Sequence, residues 1–232
     1  MSKKMKFDPS IFMDFMKMAK QAKDKPLPVI DQGEEIIEGS KEELFREGME
    51  KHDLGVHGDK GAAKRAFRIL KKLHEENPND NMISAYFGCT NALMGRDVSN
   101  SKDRLTFGVH GVEILNSAVG KEPDNVKIRL MRGNVCFNLP EKYFGCTQTA
   151  IEDFNYLISA YEKNSRVFEK EEYLNLMLNL GKAYKKLRRN KEAFAVWEKL
   201  LKQDSKYADV LRKEGFTGTN YFSSVKTKVK TK

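Results

Sequence analysis

Cysteine is scarce in this chain, and what there is stands far apart. Cys89, Cys136 and Cys146 form no C-x-x-C pair. An odd, widely spaced set excludes a disulfide framework and a zinc cage. It fits a reducing compartment, so a cytoplasmic location is expected. No apolar run approaches the roughly 20 residues that a membrane-spanning helix needs. Lys3-Lys4 resembles the start of an export signal, but Asp8, Pro9 and Asp14 interrupt the apolar stretch that should follow. The chain is therefore expected not to be exported. Proline is also sparse, six residues in 232, and Pro26, Pro28, Pro78, Pro123 and Pro140 all fall between apolar-periodic stretches. There they act as stops, because the residue before a proline resists helical geometry.

The body of the chain has no excess charge of either sign. The net charge of +9 comes from residues 1–25 and 212–232, and the stretch between them is balanced. A basic nucleic-acid-binding face is thereby excluded from the body. Basic ends keep a protein soluble, and they can attract nucleic acid or anionic membrane. That second use defines an alternative reading, a regulator acting through its termini.

Catalytic and metal-binding patterns are missing as well. Gly55, Gly58 and Gly61, near Lys60 and Lys64, suggest a phosphate cradle, but the G-x-x-x-x-G-K-[ST] form is absent and no apolar strand precedes them. A turn between helices explains them. His52 and His57 are five residues apart, which is wrong for a shared helix face, and His74 and His110 are isolated. Glu152-Asp153 and Glu171-Glu172 read as helix-start acids that complement the helix dipole. No enzyme activity, cofactor or metal is expected.

What the chain does have is a repeat. Gly48, Gly88, Gly133 and Gly181 each sit inside an apolar helical stretch, 40, 45 and 48 residues apart, and a second amphipathic helix follows each one. Such a period points to stacked helix pairs. The pattern predicts pairs near 41–54 and 62–76, 81–94 and 103–119, 124–137 and 147–162, and 170–187 and 190–203. Residues 1–40 are read as a short helix followed by a linker. Asp8 caps the helix, and Ile11, Phe12, Phe15, Met16 and Ala19 share one stripe, which either covers the end of the stack or docks elsewhere. Residues 41–210 form the repeat domain. Residues 211–232 form a basic, flexible tail, whose aromatics could instead dock on the last pair.

The fourth unit carries a resemblance. Met177-x-x-Leu180-Gly181-x-x-Tyr184, then Ala193-x-x-x-Trp197, resembles the tetratricopeptide repeat (TPR) family, with Met177, Trp197 and Ser205 departing from its usual residues. The other units keep small pairs, Gly48/Ala66, Gly88/Gly111 and Gly133/Ala150. The resemblance implies an all-α, short right-handed α-solenoid of about four helix pairs, and a bacterial source is expected. It also implies a non-catalytic protein- or peptide-binding scaffold, whose first helices line a concave groove. By that family's register the groove side includes Leu178 and Lys185, and the residues proposed to bind there are Lys127, Asn134, Asn138, Asn175, Lys182 and Lys186. Asparagine can hold an extended backbone and lysine can pair with a carboxylate, so the implied partner is an acidic or carboxylate-bearing segment. The oligomeric state is not readable from the sequence.

Overall fold

A computed structural model describes residues 20–30 and 37–217. All of the regular structure in them is helical. The helices are α1 (Lys41–Val56), α2 (Lys60–Glu76), α3 (Asn81–Asp97), α4 (Ser101–Lys121), α5 (Val126–Asn138), α6 (Glu141–Phe144), α7 (Thr147–Lys163), α8 (Lys170–Lys186), α9 (Asn190–Gln203) and α10 (Ala208–Lys213). A 3₁₀ turn, Ser205–Tyr207, precedes α10. The predicted helices of the repeat domain are all present, within three residues at each end.

The starts of the early helices follow from local chemistry. Ser40 and Glu43 form a reciprocal capping box at α1. Asp59, Asp80 and Asn100 accept the otherwise unpaired backbone N–H groups that open α2, α3 and α4. Asp80 is tied further by Lys41 at 2.8 Å.

The described residues divide into two compact units, those up to 135 with 142–144, and 136–141 with those from 145 on. In the first unit, α1 packs on α2, α2 on α3, and α3 on α4. The first members of successive pairs are also neighbours. Phe45 of α1 meets Tyr86 of α3 edge-on at 5.5 Å between centroids, and Lys127 of α5 lies 5.2 Å from the centre of the same ring. The core between them is built from Leu44, Phe67, Ile69, Leu70, Leu73, Ile83, Phe87 and Phe107. Leu27, Ile30 and Ile37 pack against it. That part of the expected linker is covering rather than spacer, because its apolar residues find an open face of the core. The Phe/Met stripe of residues 11–19 lies outside the described residues.

In the second unit, α7 packs on α8 and α8 on α9. Tyr161 stacks on Tyr173 at 4.3 Å, and Asn155 donates to the Tyr184 hydroxyl at 3.2 Å. The core gathers Tyr173, Leu174, Met177, Trp197, Leu200, Leu201, Tyr207, Leu211 and Phe216. Residues 211–217 of the expected tail thus include two fully buried side chains, Leu211 and Phe216.

The glycines of the repeat are sites of close approach, and some of their partners differ from those expected. A Cβ on Gly111 would stand 2.7 Å from the Gly88 carbonyl oxygen, so this pair does touch backbone to backbone. Gly48 faces Leu70 and Ile69 rather than Ala66. Gly181 lies against the indole of Trp197, which is fully buried and donates from Nε1 to the Leu178 carbonyl at 3.2 Å. In these last two units the second helix sets a large side chain, one turn further on, into the notch that the glycine leaves.

Candidate functional site

Helix α8 carries the charged residues singled out in the fourth repeat. Tyr173, Leu174, Met177, Leu180, Gly181 and Tyr184 turn into the core. Asn175, Leu178, Lys182 and Lys185 follow one another three or four residues apart, which places them on a single face. The end of the chain's own described segment covers that face. Tyr207 donates to the Asn175 side chain at 3.3 Å. Glu214 stands 3.6 Å from Lys182 and 3.7 Å from Lys185, one carboxylate between two ammonium groups. Lys185 also donates to the Glu214 carbonyl oxygen.

Gly215 makes this arrangement possible. Its φ of +79° is left-handed and suits glycine. Its N–H donates to the Arg212 carbonyl at 3.0 Å, and the Phe216 N–H donates to that of Leu211 at 3.0 Å. These bonds close α10 with a Schellman motif and turn the chain inward. Phe216 then enters the core edge-on to Phe194 at 5.3 Å and to Trp197 at 6.1 Å. Lys185 also approaches the same indole, 5.7 Å from its centre.

Lys186 points elsewhere. Its ammonium donates to the Phe137 carbonyl and lies 4.3 Å from the centre of the Phe137 ring. Burial lowers its pKa, and the nearby Glu141 carboxylate opposes that shift. Asn138, at the end of α5, is exposed and belongs to the second unit. Lys127 and Asn134 belong to the first unit, Lys127 exposed and Asn134 half-buried. The structure therefore brings Asn175, Lys182 and Lys186 onto one helix. It reveals two participants that the repeat register did not mark, Glu214 and Phe216. For Phe216 the alternative that the tail aromatics dock on the last pair applies. For Glu214 the sequence signal is the Glu-Gly-Phe order, a helix stop followed by an apolar residue.

The histidines have definite structural roles. His52 Nδ1 lies 2.9 Å from the Thr90 hydroxyl, and that hydroxyl donates to the Tyr86 carbonyl at 2.8 Å. The hydroxyl's one proton is already committed, so the imidazole must donate. His74 and Ser84 repeat the arrangement: Nδ1 is 3.0 Å from the serine oxygen, which donates to the Asp80 carbonyl at 2.9 Å. Neither pair can act as nucleophile and base in this geometry, because each hydroxyl proton points at a backbone carbonyl. Burial lowers the pKa of both histidines.

Burial also pushes the Cys89 thiol up to about 12, which leaves it protonated and unreactive at neutral pH. Asp153 is not a helix-start acid. It sits in the second turn of α7, fully buried, on the stripe formed with Ala150, Phe154 and Leu157. Gly58, with φ +108°, makes the turn expected between α1 and α2. Among the described residues, no group of three or more His, Cys, Asp or Glu side chains is placed to hold a metal ion. Among them also, no helix is long and apolar enough to cross a membrane. The basic ends at residues 1–19 and 218–232 lie outside the described residues.

No family model matches the sequence, and no curated protein does. Among solved structures the chain is similar to a point mutant of MamA, with a TM-score of 0.46 and 20% identity over 75% of this chain and 94% of that one. It is similar to MamA itself with a TM-score of 0.33 and 18% identity over 71% and 96% of the two chains. The third is TTC0263, a thermophilic TPR protein of Thermus thermophilus, with a TM-score of 0.38 and 15% identity over 75% and 96%. At these values the helix pairing stands on the packing described above.

Proposed function

We propose that this protein is a non-catalytic scaffold that binds an extended, acidic or carboxylate-bearing protein segment. The observation that carries the reading is the convergence of Lys182 and Lys185 on one carboxylate, that of Glu214. The face of α8 thus holds a carboxylate, here one supplied in cis. In the second unit Lys182 and Lys186 supply positive charge. Asn138 and Asn175 supply amides that both donate to and accept from an extended backbone. In the first unit Lys127 and Asn134 carry the same chemistry on α5. The repeat region of residues 41–210 is the binding part in this reading, and the flanks serve it.

The test is calorimetry with a synthetic peptide of alternating Glu and Ala that ends in a free carboxylate. The Lys182→Glu/Lys186→Glu double variant is expected to lose binding while its helical circular dichroism stays that of the wild type. Equal binding by wild type and double variant would remove the site.

A further inference from the structure

The segment that covers α8 has the marks of an exchangeable occupant. It begins at Asp204, whose extended backbone (φ −156°, ψ 114°) separates it from α9. Its helix α10 is six residues long, too short to persist without its docking contacts. Three side chains do the docking: Tyr207, Leu211 and Phe216. The carboxylate of Glu214 is not locked in. Its side chain is 34% exposed, and Lys182 and Lys185 are 31% and 32% exposed, at distances of 3.6 and 3.7 Å. Ion pairs so open to water exchange readily.

The socket itself belongs to the helix pair. Trp197 and Phe194 of α9 form an aromatic wall, and Lys182 and Lys185 of α8 form a cationic rim beside it. Rim and wall are reached together by a carboxylate and an aromatic ring two residues apart, joined across a left-handed residue. Glu214-Gly215-Phe216 has that chemistry.

We infer that the α8/α9 face is a recognition socket for acidic–glycine–aromatic segments, and that residues 205–217 of the chain occupy it in cis until a partner segment of the same chemistry displaces them. This rests on the scaffold reading above and specifies which segment the second unit reads. A tethered occupant competes at a high effective concentration. The socket's apparent affinity for a free segment falls with the fraction of molecules whose socket is open. Loosening the tethered segment must therefore raise the affinity for a free copy of it.

The experiment measures fluorescence anisotropy of a labelled synthetic peptide, Ser205 to Thr217 of this sequence, on the full chain. Wild type is compared with Glu214→Lys, which sets a third cation beside Lys182 and Lys185, and with Phe216→Ala. Both variants are expected to bind the peptide at least tenfold more tightly than wild type. A peptide carrying both Glu214→Lys and Phe216→Ala should not bind. Trp197, the one tryptophan, reports occupancy: its emission should shift to the red in the loosened variants and return as the intact peptide binds. The surface change Glu214→Lys decides the matter if Phe216→Ala fails to fold. If Glu214→Lys keeps wild-type helicity yet binds the peptide no more tightly than wild type, or binds both peptides alike, the segment is a fixed cap and the inference falls. The scaffold reading would survive that result as long as wild type binds the Glu/Ala peptide. Its own failure would show as no binding of that peptide either to wild type or to Glu214→Lys, whose socket is open.

Discussion

Arg188 is the one described residue other than glycine with a left-handed backbone, at φ +60°. It follows the last turn of α8, where its N–H donates to Lys185 and the next N–H, of Arg189, reaches back to Tyr184, both at 2.9 Å. This is the C-terminal motif that usually carries glycine, and the arginine Cβ strains it. Arg188→Gly is expected to stabilise the protein by about 1 kcal/mol, read as a higher urea midpoint at unchanged slope. Nothing in the sequence hints at this position. Two adjacent arginines at a helix end look like favourable dipole partners, and only the backbone shows what the first of them endures. His52 and His74 were equally opaque. The five-residue step from His52 to His57 and the isolation of His74 spoke only against a metal site, and the hydroxyls that fix their protons lie 38 and 10 residues away.

At the scale of the element, the helix pairs were legible because apolar periodicity, capping residues and proline stops all agree. The contacts between helices were less so. A glycine in a helix announces that something comes close, but not what: for Gly88 it is backbone and the Leu115 side chain, and for Gly181 an indole. The docked segment was read mainly as tail, because a short stretch near a chain end carries too few residues for a period to show. The glycines differ in what they will tolerate. Gly111→Ala would press a methyl onto the Gly88 carbonyl and the Ala92 nitrogen, atoms that no rotamer change can move. A loss of about 3 kcal/mol is expected, at the upper end of overpacking costs. Gly120→Ala, on the same helix, is exposed and meets nothing within 4 Å. It should gain roughly 0.5 kcal/mol, since alanine loses less freedom on entering a helix. Thermal unfolding of the two variants, measured together, separates close approach from helix propensity.

Over the whole molecule, the shifted acids and histidines mostly make the fold sensitive to low pH. Hydrogen bonds from the Ser40 backbone and side chain lower the Glu43 pKa. Bonds from the Asn125 and Asn81 amides do so for Glu122, and one from Arg189 does so for Glu192. For Asp80, burial acts upward, but the bond from Lys41 and those from the Ile83 and Met82 N–H groups outweigh it. Glu172 runs the other way, raised by burial. Groups whose folded pKa is depressed add stability above their unfolded pKa and lose it as pH falls through the folded one. The same sign holds for the two histidines, which are buried neutral and must be charged on acidification. Chemical denaturation should therefore show stability falling below about pH 6.5, where unfolded histidine begins to bind protons, and falling again below about pH 4.5 as the carboxylates do. His52→Gln is expected to shrink the first of these losses and leave the second unchanged.

The meeting of Gly88 with Gly111 has a consequence for how this protein can change over generations. Most neighbours in a core can trade volume, one growing as the other shrinks. These two have no volume left to trade, since each is already the smallest residue and meets the other's main chain. Any heritable enlargement at either position can be accommodated only by spreading the axes of α3 and α4 apart, and that would disturb the packing along both helices at once.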